Sequence, residues 1–269
     1  MTGGAVAARD ISHIVDTAHA MADAAGAAIL PHFRQRALDV ENKDGTGFDP
    51  VTAADRAAEA AMRQVLAERR PDDAILGEEE AATPGTSGLT WVIDPIDGTR
   101  GFVSGTPTWG VLVALSDAAG VRFGLIDQPY VGERFWGGFG SARWRGPRDA
   151  GALGTRATGS LSEATLMTTF PEVGSADERA AFERVAGGVR LVRYGLDCYA
   201  YALLALGQID LVIEAGLNPY DIQAPIGVIE AAGGVVTDWD GAPAHRGGRA
   251  LAAANPTLHA AALERLRGV

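Results

Sequence analysis

The chain has 269 residues, 47% of them apolar and 21% charged, so it can bury a sizeable core as one large domain or two compact halves. A formal net charge of −11 argues against nucleic acid or an anionic membrane as partner, and means that a phosphate ester would need local cations at its site. The single cysteine, Cys198, excludes an intrachain disulfide and fits a reducing compartment.

No apolar run approaches the roughly 18 residues of a membrane span. The first residues lack a basic stretch followed by an apolar core, so cytoplasmic residence is the expectation. Residues 5–34 predict one long amphipathic helix, because Ile11, Ile14, Val15, Ala18, Met21, Ala25, Ala28, Ile29 and Phe33 recur at helical spacing. His13, His19 and His32 on it form no i, i+4 pair, so they read as surface or packing residues rather than ligands. The glycine-rich stretch 42–50 is a loop carrying Lys43 and Asp49. Thr52, with Asp55 three positions on, reads as a helix cap, and Ala58, Met62, Val65 and Leu66 face inward until Arg70-Pro71. A short strand over 74–76 leads into Glu78, Glu79 and Glu80. Such a run is usually a solvated turn, but its place after a strand lets one glutamate join a cation site.

The run WVIDPIDGT (residues 91–99) is the most informative stretch. Residues 91–93 read as a buried strand that stops at Asp94-Pro95, since proline cannot continue a ladder, and Gly98 allows a sharp turn. Two carboxylates as close as Asp94 and Asp97 repel each other unless a cation lies between them. Oxygen-only ligands suit a hard divalent ion, magnesium above all. A helix starting at Gly98-Thr99 would offer backbone N–H groups to a phosphate.

Strands over 106–115, 120–127 and 133–138 follow as an antiparallel meander, with a domain boundary near residue 150. The second half alternates strands (166–170, 189–192, 209–214, 235–237) with helices (177–186, 198–206, from Asn218-Pro219 to Gly233-Gly234, and from Asn255-Pro256 to 266), as an α/β layer does. Pro225 is awkward inside the third of these helices. No cysteine or Ser-His pair occurs in a recognisable nucleophile motif.

Three separated segments, GEE (77–79), WVIDPIDGT (91–99) and YDIQAPIGVIEAAGG (220–234), together resemble the inositol-monophosphatase-like family of metal-dependent phosphomonoesterases. Within it, SGTPTWGVLVAL (104–115), GLIDQPYVGERFWG (124–137) and GLDCYAYALLALGQIDLVIEAGLNPYD (195–221) look most like the histidinol-phosphate phosphatase branch. The resemblance implies an α/β fold, a layered α-β-α-β-α sandwich. Its α+β half would span 1–150 and its α/β half 151–269, the latter supplying a third aspartate. A homodimer acting on a small phosphorylated substrate is implied the same way.

Carried over by resemblance, Glu78, Asp94 and the Ile96 carbonyl would hold one magnesium ion, and Asp94, Asp97 and Asp221 a second. A third, weaker ion would lean on Glu78. Thr99, with Glu78 or Asp49, would orient and deprotonate the attacking water, while the Gly98 and Thr99 N–H groups bind the phosphate. Asp197, Glu214 and Asn218 would contact the alcohol part of the substrate. Extra acidic groups suit the ammonium and imidazole of L-histidinol phosphate, whereas an inositol ring has no positive charge. Asp197 has a second reading, as the cap of the helix starting at Cys198. Gly101 departs from the small polar residue that relatives often carry. The expectation is thus magnesium-dependent hydrolysis of L-histidinol phosphate to L-histidinol and phosphate, a step of histidine biosynthesis. The alternatives are a monophosphatase for inositol 1-phosphate or another small polyol or sugar, and a non-catalytic binder of phosphate ligands.

Overall fold

Helical spacing of apolar residues builds the first two helices, α1 (Ala8–Ile29) and α2 (Ala53–Arg69), with the two-stranded ladder β1 (Val40–Asn42) and β2 (Pro50–Thr52) between them. The computed structural model describes residues 8–35, 40–42 and 50–267, so Lys43 and Asp49 lie outside the described residues. Helix α1 ends at Ile29 and not at residue 34, because Pro31 follows; the residue before a proline is pushed out of the helical region. The cap expected at α2 is present: the Thr52 N–H donates to the Asp55 carboxylate at 2.8 Å, and the Ala54 N–H to the Thr52 hydroxyl at 3.1 Å.

The first sheet runs in chain order through β3 (Ala74–Gly77), β4 (Thr90–Asp97), β5 (Gly110–Asp117), β6 (Gly120–Gln128), β7 (Glu133–Gly138), β8 (Ser141–Arg145) and β9 (Ala150–Ala152). Only the β3–β4 pair is parallel. Strand β4 does not stop at Asp94-Pro95 as expected. It continues to Asp97, and a register shift against β5 between Asp94 and Asp97 accommodates the proline at a bulge. A short helix, α3 (Thr99–Ser104), follows at once.

The second sheet has the order β11-β10-β12-β14-β13, built from β10 (Thr165–Thr168), β11 (Leu191–Tyr194), β12 (Leu211–Leu217), β13 (Val235–Thr237) and β14 (Gly248–Ala253). Strands β10, β11 and β12 are mutually parallel, and β14 is antiparallel to both its neighbours. Four helices accompany it: α4 (Ala176–Ala186), α5 (Cys198–Ala205), α6 (Pro219–Ala231) and α7 (Pro256–Arg267).

Strand alternation then sorts the layers. Trp91, Ile93, Val111, Val113 and Leu125 face α1 and α2, packing on Ile14, Met21 and Met62. Val92, Leu112, Ala114 and Ile126 face the opposite way, onto α5 and α6, which in turn cover Val212, Val236 and Ala252 of the second sheet. Leu166, Leu211, Ile213 and Leu251 meet Phe182 of α4 and Leu258 of α7 on the far side. The result is the expected α-β-α-β-α sandwich, with α5 and α6 as its middle layer.

Helix α6 lies directly on strand backbone. A Cβ added at Gly124 would stand 2.1 Å from the Ala224 carbonyl oxygen, and one at Gly227 would stand 2.5 Å from the Gly124 nitrogen. Glycine on both elements permits that approach. Pro225 does not break α6; it gives up only the i→i−4 bond that would have ended on the Asp221 carbonyl. Among the described residues, no helix is long and apolar enough to cross a membrane.

Candidate metal centre

The site forms where β4 ends against the starts of α5 and α6. Past the proline bulge the Ile96 N–H donates back to Asp94 Oδ1 at 3.0 Å, fixing the Asp94 carboxylate toward the interior. The Thr99 hydroxyl donates to the Ile96 carbonyl at 3.1 Å. Gly98 turns the chain with φ of 84°, and a Cβ there would lie 2.7 Å from Asp197 Cγ, so both conformation and space require glycine.

Asp97 has a partner that no local reading foresees. Its Oδ2 accepts the Cys198 N–H at 2.7 Å across 101 residues of sequence, so Asp97 caps α5. The alternative reading of Asp197 as that cap is overturned. Asp197 adopts φ of 46°, outside the extended region an N-cap takes, and makes no cap bond. Its carboxylate instead accepts the Thr108 hydroxyl at 3.3 Å beside Gly98. Asp221 occupies the first turn of α6, where Pro219 presets the helix start, and accepts the Asn218 N–H at 2.7 Å.

These folds of the chain bring one carboxylate oxygen each from Asp94, Asp97 and Asp221 to within 4.8 Å of one another. Glu78, just past β3, lines the same cavity, and its charge acts on Asp94. Burial, followed by the charges of Glu78, Asp97 and Asp221, pushes Asp94 well above the usual carboxylate range. Burial raises Asp97 as well, with Asp197 and Asp221 adding to it, and burial lifts Asp221 to about 7. Around the cavity of about 270 Å³ stand seven carboxylate residues and one basic residue, Arg100, among the described residues. One guanidinium cannot balance that charge, and the clustered donors of Asp94, Asp97 and Asp221 are all carboxylate oxygens. The set fits hard divalent cations.

Two supports escaped the sequence reading. The fully buried Glu59 of α2 accepts the Glu79 and Glu80 N–H groups at 2.7 and 3.1 Å and is paired with Arg63 at 2.8 Å, so it shapes the turn that presents Glu78. A Cβ at Gly77 would lie 2.1 Å from Glu59 Oε1. The available signal was an acidic residue on the stripe shared with Met62 and Leu66. The second is the grip of Thr169 and Tyr201 on the expected Glu214 of β12, which accepts the Thr169 N–H and hydroxyl at 3.0 and 2.5 Å and the Tyr201 hydroxyl at 3.1 Å. Burial raises Glu214 to about 7 and Asp197 to about 6. Asp197, Glu214 and Asn218 all line the metal-cluster cavity, as do Gly98 and Thr99.

The inositol monophosphatase family profile matches residues 10–269. The chain belongs to the inositol monophosphatase family. Its similarity to a bifunctional phosphatase, IMPL2, chloroplastic, of Arabidopsis thaliana is 42% identity over 234 residues, 86% of this chain. The chain spans only about two thirds (66%) of that plant relative's length. A histidinol-phosphatase of Streptomyces coelicolor is 36% identical over 252 residues, covering 90% of this chain and 92% of its own. Among solved structures, an inositol monophosphatase from Zymomonas mobilis superposes with a TM-score of 0.84 at 36% identity, covering 97% of this chain and 99% of that one. The family expected from the three motifs is thus the family found, and the chain is a phosphatase of it.

Proposed function

We propose that the protein is a magnesium-dependent phosphomonoesterase whose substrate is L-histidinol phosphate. The observation that carries the substrate choice is the acid left over: beyond the cluster of Glu78, Asp94, Asp97 and Asp221, the same cavity is lined by Glu172, Asp197 and Glu214. An alcohol with an ammonium and a protonatable imidazole is held by such a wall, and a neutral polyol gains less from it. The similarity to a histidinol-phosphatase over 90% of the chain supports the same choice.

Asp94, Asp97 and Asp221, with Glu78 and the Ile96 carbonyl, would hold two to three magnesium ions. When bound, these cations supply charge that stabilises the phosphoryl group and the departing oxygen and make water nucleophilic near neutral pH. Thr99, its hydroxyl anchored on the Ile96 carbonyl, orients the attacking water. Glu78, or Asp49 from outside the described residues, takes the proton of that water. The Gly98 and Thr99 N–H groups hold the phosphate at the start of α3. Asp197, Glu214 and Asn218 receive the amino alcohol, Glu214 kept in place by Thr169 and Tyr201.

The comparison that tests this reading is kcat/KM for L-histidinol phosphate against inositol 1-phosphate. A carboxylate–ammonium hydrogen bond of roughly 1.5–3 kcal/mol predicts a preference for histidinol phosphate of at least about tenfold. A preference for inositol 1-phosphate would support the second reading, which the similarity to the Zymomonas mobilis inositol monophosphatase favours. No turnover of any phosphomonoester at saturating Mg²⁺ would leave a non-catalytic ligand binder.

A further inference from the structure

The mouth of the cavity carries an apolar side chain that neither the cluster nor the acidic wall uses. Phe170 follows the end of β10, is 43% exposed, and lines the same cavity as the carboxylates. Its neighbour Thr169 is committed to Glu214 through both N–H and hydroxyl. Across the mouth stands Arg100 of α3, with its guanidinium carbon 5.0 Å from the centre of the Phe170 ring. The pair therefore joins the end of the first sheet to the end of the second, and the cation steadies the ring from one side. The rest of the lining is mixed, with Val173, Leu217 and Tyr220 standing beside the carboxylates, so the cavity can receive an alcohol that is partly apolar.

We infer that Phe170 is a specificity-determining residue, a wall against which a planar ring on the substrate's alcohol part stacks. An ester with its phosphate against Gly98 and the carboxylate cluster extends past Glu214 toward the mouth, and there it meets Phe170. The favoured class is phosphate monoesters of short alcohols that carry an aromatic ring. Offset or edge-to-face contact supplies the attraction, and a cationic ring adds to it. The inference rests on the proposed reading of this cavity as the site of ester hydrolysis, but not on histidinol as the alcohol.

The test measures KM and kcat, with Mg²⁺ present, for 2-phenylethyl phosphate and ethyl phosphate on the wild type, Phe170→Ala and Phe170→Trp. Phe170→Ala should raise KM for the phenylethyl ester about three- to tenfold, the scale of one aromatic pair, with kcat held and both constants for ethyl phosphate unchanged. Phe170→Trp should restore the phenylethyl KM. Since the side chain is partly exposed, an unchanged Tm is expected in both variants. Equal KM changes for the two esters, or none for the ring-bearing one, would overturn the inference while leaving the hydrolytic reading intact. A wild type that hydrolyses neither ester would overturn the wall, while the hydrolytic reading stands or falls separately on turnover of L-histidinol phosphate and inositol 1-phosphate.

Discussion

Asp94→Asn is expected to lower kcat by at least about two to three orders of magnitude, the scale of losing one electrostatic partner of a transition state. Asparagine keeps the shape of the side chain and can still accept the Ile96 N–H, so the proline bulge is retained. What it removes is the charge of the most buried carboxylate of the cluster, the one raised by burial and by Glu78, Asp97 and Asp221 together. The same fact sets the sign of the stability effect. A carboxylate whose folded-state pKa lies above its unfolded value destabilises the metal-free fold when ionised, so its neutralisation costs the fold nothing near neutral pH. Asp94→Asn without Mg²⁺ should therefore melt no lower than the wild type. Near wild-type turnover would contradict the role given to Asp94, and a fall in Tm would assign the loss to folding.

Arg134→Met should cost roughly 3–5 kcal/mol of stability, read by urea unfolding, the usual loss when one member of a buried ion pair is removed. Arg134 is 5% exposed and ties α1 to the first sheet, donating to Asp127 at 2.6 Å and to Asp23 at 2.7 Å. Without it Asp127, equally buried, loses its hydrogen-bonded counter-ion and keeps only the more distant charge of Arg145. The double variant Arg134→Met/Asp127→Leu should recover much of the loss, because the penalty belongs to the orphaned charge more than to the missing bond. A pH effect accompanies it. Burial, then the charges of Arg134 and Arg145, holds His19 down at about 4, so the unfolded chain takes up a proton below about 6.5 that the folded chain refuses until about 4. Stability is therefore fully present above that window and falls as pH drops through it. Arg134→Met should flatten this fall. A loss below about 1 kcal/mol, or a double variant no better than the single, would contradict the buried-pair assignment.

What could be read from the chain alone was what neighbours in sequence decide. The Thr52–Asp55 cap, the Asn218-Pro219 start that places Asp221, and the closeness of Asp94 to Asp97 all depend on spacings of a few residues. The layered fold followed from motif resemblance joined to the alternation of strands and helices. Contacts between distant segments could not be read. Asp97 capping α5, Glu59 holding the Glu79 and Glu80 backbone, and Thr169 with Tyr201 gripping Glu214 each join segments that only the packed sheets bring together. Strand β8 was missed although Ala142 and Trp144 alternate with polar residues in SARWR, because five residues make too short a run to stand out, and β14 because its short alanine-rich run follows paired glycines. Pro95 misled in the opposite direction: a bulge lets the strand pass through a residue that normally ends one.

The cage of carboxylates is tested most directly by calorimetric titration of the metal-free protein with Mg²⁺, with Mn²⁺ as a spectroscopic check, on the wild type and Asp221→Asn. If Asp94, Asp97, Asp221 and Glu78 share ions, the wild type takes up at least two per chain, and Asp221→Asn loses one of them while remaining folded. Absence of binding by the wild type, or the same stoichiometry and affinity in Asp221→Asn, would contradict the cage.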